Sequence, residues 1–193
     1  MTTYIPQLTL PESIFSSFPA SILLPITLGS AVGWSTRLPR TYLSLNQPPL
    51  RPPPQVFGPV WTLLYGLMGY ASHRAYSIGT SPLNLPGIIS AARQGTTLYT
   101  IQLGLNLLWM PLFFGWNRPI LATADVLALV GVNGYLAWLW GTKVDATAGW
   151  LLVPYVAWLS FATYLSAGTG YLNNWDLSGA YEKADGETKK KRS

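Results

Sequence analysis

The stretch RPPPQVFGPVWTLLYGLMGYASHR, Arg51 to Arg74, decides how this chain folds. Between its two arginines, residues 52–73 carry no charged side chain. A window of that length holds the roughly 20 apolar residues that cross a ~30 Å hydrocarbon core. The pattern recurs on either side. Glu12 and Arg37 bound a charge-free window at 13–36, and Arg93 and Arg118 bound another at 94–117. From 119 to 142 the only charge is Asp125, and from 146 to 175 there is none. Composition agrees: 49% of the 193 residues are hydrophobic and 10% are charged, against about a quarter charged in soluble domains. Five wholly apolar helices would leave a water-soluble protein almost no surface. The chain therefore reads as an all-α integral membrane protein, a five-helix transmembrane bundle over residues 1–175.

The expected helices run about 18–34, 56–76, 96–115, 119–140 and 149–171. Pro119 suits a helix start, where its missing N–H would be unpaired anyway. Residues 75–92 are also uncharged, but Gly79, Ser81, Pro82, Asn84, Pro86 and Gly87 mark them as a loop. Residues 35–55 form a Pro-rich connection. The tail 176–193 is polar, ends in Lys189-Lys190-Lys191-Arg192-Ser193, and is expected to be disordered. The first fifteen residues lack the basic start and unbroken apolar run of a cleavable signal, so insertion is expected to rely on the spans.

Five spans place the termini on opposite sides. Arg74, Arg93 and Lys143 fall on one face. Arg37, Arg40, Arg51, Arg118, Lys183, Lys189, Lys190, Lys191 and Arg192 fall on the other. The positive-inside rule then puts the C-terminus in the cytosol, a reading that leans on the tail. With one His and no Cys, a protein-only transition-metal site is not expected. Walker, dinucleotide-binding and G-x-S-x-G motifs are absent, and no nucleic-acid partner is expected.

Three blocks carry a family likeness. The first is QPPLRPPPQVFGPVWTLLYGLMGY (47–70), a Pro-rich loop running into a V-F-G-P-V-W-T core. The second is LYTIQLGLN (98–106), followed by Trp109, Pro111 and Phe113-Phe114-Gly115. The third is PYVAWLSFA (154–162). In this order and spacing they resemble the translocator protein / tryptophan-rich sensory protein family, over about residues 20–172. The resemblance implies a five-helix bundle with a pocket open toward the cytosolic side under the first loop. It implies porphyrins such as protoporphyrin IX and haem, sterols such as cholesterol, and isoquinoline or benzodiazepine-type compounds as ligands. No bound cofactor is expected besides porphyrin or haem as ligand. In eukaryotes the family's usual home is the outer mitochondrial membrane, with the endoplasmic reticulum as the alternative here.

The same residues make a pocket on physical grounds. Trp61, Trp109 and Trp158 offer flat faces for a ring system. Gln102 and Asn106, four apart, share a helix face and can orient a carbonyl or propionate. Ala124 with Ala128, and Ala162 with Leu165, can each supply a small apolar wall. Phe57, Gly58 and Val60 sit where the Pro-rich loop enters the bundle. Each has a plainer reading: Trp at the membrane interface, Asn and Gln bonded to a neighbouring helix, Ala allowing close helix approach. Asp125, the lone charge inside a span, is expected in a structural role near a helix N-terminus. His73 is expected at the interface.

The chain departs from the family pattern in places. Many relatives carry Trp where Leu50 and Gln55 stand here. The first of those tryptophans is tied to light-dependent porphyrin breakdown in bacterial members, so a receptor or carrier rather than an enzyme is expected. A porphyrin-degrading enzyme and a stress-regulated membrane scaffold are the alternatives. The sterol motif at the end of the fifth helix is lost, with Ala167 and Tyr171 at its Tyr and Arg positions. The family's G-x-x-x-G dimer face falls on Thr97 and Ile101. A homodimer therefore stays open, with Gly29 and Gly33 as another close-packing pair.

Overall fold

A computed structural model describes residues 4–35 and 45–177. Arg37, Arg40 and the tail from residue 178 lie outside the described residues. In chain order the α-helices are α1 (Glu12–Ser16), α2 (Phe18–Ser35), α3 (Pro54–Gly79), α4 (Pro86–Met110), α5 (Pro119–Lys143) and α6 (Ala146–Leu172). No strand occurs among the described residues. Among the described residues, four stretches are long and apolar enough to cross a membrane: α2, α4 with its extension to Gly115, α5 and α6. The remaining long helix, α3, has 26 residues and reaches about 39 Å at 1.5 Å per residue. It packs against α2, α4 and α6, completing an all-helical membrane bundle.

Several helices outrun the charge-free windows that marked them. Helix α4 starts at Pro86, not near 96, and α3 runs from Pro54 to Gly79 instead of 56–76. Charge marks where hydrocarbon begins, whereas a helix continues into the interface as long as its inner face has something to pack on. Ala92 covers Gly79, and Gly95 receives the Trp140 ring, so the first turns of α4 are held. Proline opens α3, α4 and α5, where its absent N–H costs nothing. The expected 75–92 loop thus contracts to residues 80–85, closed by Asn84 Nδ2, which donates to the carbonyls of Ile78 (2.6 Å) and Gly79 (3.2 Å). Helix α5 likewise reaches Lys143 and α6 starts at Ala146, beyond the expected 140 and 149. At the far end of α4, Pro111 opens one wide π-helical turn, Pro111–Gly115, closed by Trp116 N–H on Pro111 C=O at 2.8 Å.

Glycines set the closest approaches. A Cβ on Gly149 would stand 2.5 Å from Gly141 Cα, so α5 and α6 meet nearly backbone to backbone. One on Gly69 would strike the backbone of Ser21 and Ile22, locking α3 against α2. Gly29 of α2 carries the Tyr65 ring, so it serves contacts within this bundle.

The N-terminal segment is tied down. Ile5 N–H donates to Thr97 Oγ1 (3.2 Å) and Leu10 N–H to Thr100 Oγ1 (3.0 Å). Phe15 is fully buried, stacked on Tyr76 and edge-on to Tyr99. Thr97 is therefore covered by the chain's own N-terminal segment, while Ile101 is exposed. His73 Nδ1 lies 2.8 Å from the Phe15 carbonyl, to which it donates, and so holds this segment. At the other end the tail expected to be disordered lies, from residue 178 on, outside the described residues, and only its first two residues are described. Leu177 is 1% exposed, because it packs against Leu45, Leu112 and Phe113.

Asp145 ties the α5–α6 turn to α3. It accepts Arg74 Nε at 2.5 Å and Nη2 at 3.3 Å, and caps α6 by accepting Ala148 N–H at 2.9 Å. Partial burial works upward on its pKa, but the Arg74 and Ala148 bonds hold it below the ordinary carboxylate value. Such a group contributes stability at neutral pH that is lost as pH falls through the lowered value. Asp145→Ala should cost about 1 kcal/mol, mostly from the lost cap, the partly exposed ion pair adding little. That deficit should be full at neutral pH and shrink by about pH 3, below the usual Asp value, in thermal unfolding of detergent-solubilised protein. Gly69→Val should cost about 1–3 kcal/mol by overpacking. Gly66→Val, whose Cβ meets nothing within 4 Å, should leave the melting midpoint nearly unchanged.

Candidate ligand-binding cavity

An apolar cavity of about 410 Å³ lies within the bundle, toward the end where α2 stops and α3 begins. Every long helix contributes to its wall. From α3 come Phe57, Gly58, Trp61 and Tyr65. From α4 and its π-helical turn come Asn106, Trp109, Phe113 and Phe114. From α6 come Trp158, Ala162, Leu165, Ser166 and Thr169. Its volume falls within the ~300–1,000 Å³ usual for small-molecule sites.

The rings are held by one another. Trp109 stacks on Phe113 at 5.1 Å, Phe57 meets Trp158 edge-on at 5.9 Å, and Trp61 packs on Tyr65 at 5.4 Å and edge-on to Tyr155 at 6.2 Å. Below them runs a buried hydrogen-bond chain. Tyr65 OH donates to Asn106 Oδ1 (2.7 Å), Asn106 Nδ2 to Tyr155 OH (2.8 Å), and Tyr155 OH to Gln102 Oε1 (3.2 Å). Asn133 Nδ2 donates to Leu129 C=O (2.9 Å) and also approaches Gln102 Oε1 at 3.3 Å. This chain cross-links α3, α4, α6 and α5.

Eight of the residues expected to bind ligand therefore line the cavity: Phe57, Gly58, Trp61, Asn106, Trp109, Trp158, Ala162 and Leu165. Four do not. Val60 is half-buried and packs against the main core. Gln102 is wholly buried one turn deeper, in the hydrogen-bond chain. Ala124 and Ala128 are exposed on the outer face of α5, and Val126 and Leu129 line the cavity in their place. Four-residue spacing puts two alanines on one face but does not say which way that face turns. Asn106 also differs in role, since its amide is already engaged by two tyrosines. Of the side chains that line the cavity, those with a buried donor lacking a partner among the described residues are Trp109 and Trp158, through their indole N–H groups.

Sequence reading missed the α2 wall, with Gly29, Ser30 and Gly33, and also Leu45, Tyr65, Ser166 and Thr169. Tyr65 could have been found, being four residues from Trp61 on one helix face. Asp125 is 8% exposed and faces inward, with Oδ2 unpartnered among the described residues. It does not cap α5.

A model of the TspO/MBR family matches residues 21–172. The chain belongs to the TspO/MBR family. It is 43% identical over 161 residues to a translocator protein homolog of Schizosaccharomyces pombe, covering 83% of this chain and 94% of that protein. To the human translocator protein it is 39% identical over 127 residues, 66% of this chain and 71% of the relative. To the tryptophan-rich protein TspO of Chlorobaculum tepidum it is 36% identical over 152 residues, 76% and 91% of the two chains. The TspO/MBR match takes in all the cavity-lining residues, from Gly29 to Thr169.

Removing the middle of the hydrogen-bond chain should loosen this TspO/MBR bundle. Asn106→Leu leaves the Tyr65 hydroxyl without its buried acceptor, at a cost of about 1–3 kcal/mol. A lowered thermal midpoint in detergent, with helical circular dichroism retained at low temperature, is the expected result. An unchanged midpoint would mean that the chain contributes little.

Proposed function

We propose that this membrane protein is a receptor or carrier that binds tetrapyrroles and sterols in the intrabundle cavity and serves their transport or homeostasis. The observation that carries the reading is the pair of unpartnered indole N–H donors on Trp109 and Trp158, set in an aromatic, largely apolar wall. A ligand that fits this chemistry is flat or rigid, largely apolar, and carries an acceptor oxygen. Protoporphyrin IX and haem supply a planar π-face with carboxylates. Cholesterol supplies a rigid apolar body with one hydroxyl oxygen. Isoquinoline and benzodiazepine-type compounds supply fused rings with a carbonyl. The name of the human relative, translocator protein, agrees with a carrying role.

The chain acts without turnover in this reading. Leu50 is 84% exposed and is not among the lining residues, so no oxidisable indole stands at its position in the first connection. The wall aromatics and their free donors also favour a working pocket over a vestigial one in a scaffold. The proposed setting is the outer mitochondrial membrane, with the C-terminus in the cytosol on the strength of the basic tail. The endoplasmic reticulum is the alternative.

Titration of purified protein with protoporphyrin IX, haem and cholesterol tests this. A buried aromatic stack contributes roughly 1 kcal/mol beyond its area, and lost apolar contact and a lost donor add to that. Trp109→Ala and Trp158→Ala should each weaken protoporphyrin IX binding by at least about tenfold. Trp138→Ala, on the outer face beside Tyr135, should bind like the wild type. Wild-type affinity in both folded cavity variants would remove the cavity from consideration.

A further inference from the structure

Two pieces of chain far apart in sequence meet at the cavity's end of the bundle, where Leu45 is part of the wall. One is the end of the first connection, residues 45–50. The other is the segment that follows α6, residues 173–177. They are clasped reciprocally: Asn173 Nδ2 donates to Asn46 C=O at 2.7 Å, and Asn46 N–H donates to Asn173 Oδ1 at 3.2 Å. Tyr164 OH donates to Pro49 C=O at 2.9 Å. Pro48 lies over Gly168, where a Cβ would come within 2.8 Å of its ring. Below the clasp, Leu177 (1% exposed) and Leu45 (4%) share a cluster with Phe113 and Phe114. Three of these, Leu45, Phe113 and Phe114, are cavity wall. Asn117, in the turn before α5, holds the end of the segment: its Nδ2 donates to Asp176 Oδ1 (3.2 Å) and its Oδ1 accepts Leu177 N–H (3.0 Å).

The backbone singles out the same assembly. Among the described residues, the non-glycine positions with positive φ are Leu50 (66°), Asn117 (52°), Asn174 (53°) and Trp175 (58°), and all belong to it. Left-handed backbone is unfavourable for L-residues and persists where surrounding contacts over-determine it. Side-chain hydrogen bonds across 127 and 60 residues of sequence are such contacts. Connections held by a few contacts of this kind, rather than by a packed core, are where a fold opens most readily.

We propose that residues 173–177 form a latch that holds the 45–50 segment over the cavity, so that the chain after α6 sets the rate at which ligand enters and leaves. The proposal rests on the cavity being a ligand site, and it makes the C-terminal segment a regulator of that site. Anything that draws on the tail beyond Leu177 would act on the latch.

The test uses the full chain, whose lack of cysteine gives a clean background. Ser166 lines the cavity and is 2% exposed, so Ser166→Cys reports opening to a water-soluble maleimide without any ligand. In that background Leu177→Asp should raise the labelling rate by about tenfold, the factor that ~1.4 kcal/mol represents. Should Leu177→Asp fail to fold, Asn117→Gly removes both hydrogen bonds to the latch while suiting the left-handed backbone, and should act in the same direction. With Ser166 restored, the same variants should speed protoporphyrin IX association and dissociation together in stopped-flow fluorescence, with a smaller change in Kd. Faster labelling in a protein that binds no protoporphyrin IX, haem or sterol upholds the latch and overturns the ligand reading. Unchanged labelling in folded Asn117→Gly and Leu177→Asp proteins overturns the latch.

Discussion

The bundle depends on one buried hydrogen-bond chain, Tyr65 to Asn106 to Tyr155 to Gln102, with Asn133 beside it. Hydrocarbon offers no water to satisfy polar groups, so each must find a partner inside the protein. These side chains come from four helices, and the hydrogen bonds between them fix how those helices rotate and how deep they sit. The chain also fixes the cavity floor. Tyr65 is held by Asn106 on one side and by the bare backbone of Gly29 on the other, and Trp61 rests on Tyr65 and Tyr155. Among the side chains that line the cavity, the buried donors left without a partner are the indoles above that floor.

Floor and mouth are built on different principles. At the floor, close packing and buried polar pairs leave little room for change. Gly69 on Ser21 and Gly149 on Gly141 hold the helices nearly in backbone contact. The mouth is held by a few hydrogen bonds between connecting segments, by proline on glycine, and by one leucine inserted from beyond α6. Regions that open for ligands are drawn from the less stable parts of a structure. In the proposed reading, a rigid floor with a releasable mouth would let a ligand exchange without dismantling the bundle.

Much of this was legible in the sequence. Charge-free windows gave a helical membrane bundle, because a charge in hydrocarbon is costly wherever it falls. They misplaced the ends of α3, α4, α5 and α6, because charge reports the water boundary and not the last packed turn. Aromatic and amide side chains gave away the α3, α4 and α6 walls. Helix α5 is largely apolar, so Ala124 and Ala128 themselves do not mark which way their face turns; the buried Asp125 and Asn133 mark the inward one. The α2 wall stayed hidden for the same reason: Gly29 and Gly33 look like a helix-pairing motif, and only the placement of Tyr65 shows what Gly29 receives. The Asn46–Asn173 clasp pairs two unremarkable polar residues whose distance in sequence leaves no periodic trace.

The central claim is that the indoles of Trp109 and Trp158 meet the ligand. The most direct measurement is the ¹H–¹⁵N spectrum of the tryptophan indole groups as protoporphyrin IX is added. The Trp109 and Trp158 N–H resonances should move as they gain an acceptor. Trp140, whose indole N–H is likewise buried and without a partner among the described residues but which packs on Gly95 away from the cavity, should stay where it is. Saturable binding that leaves the Trp109 and Trp158 resonances in place would contradict the account.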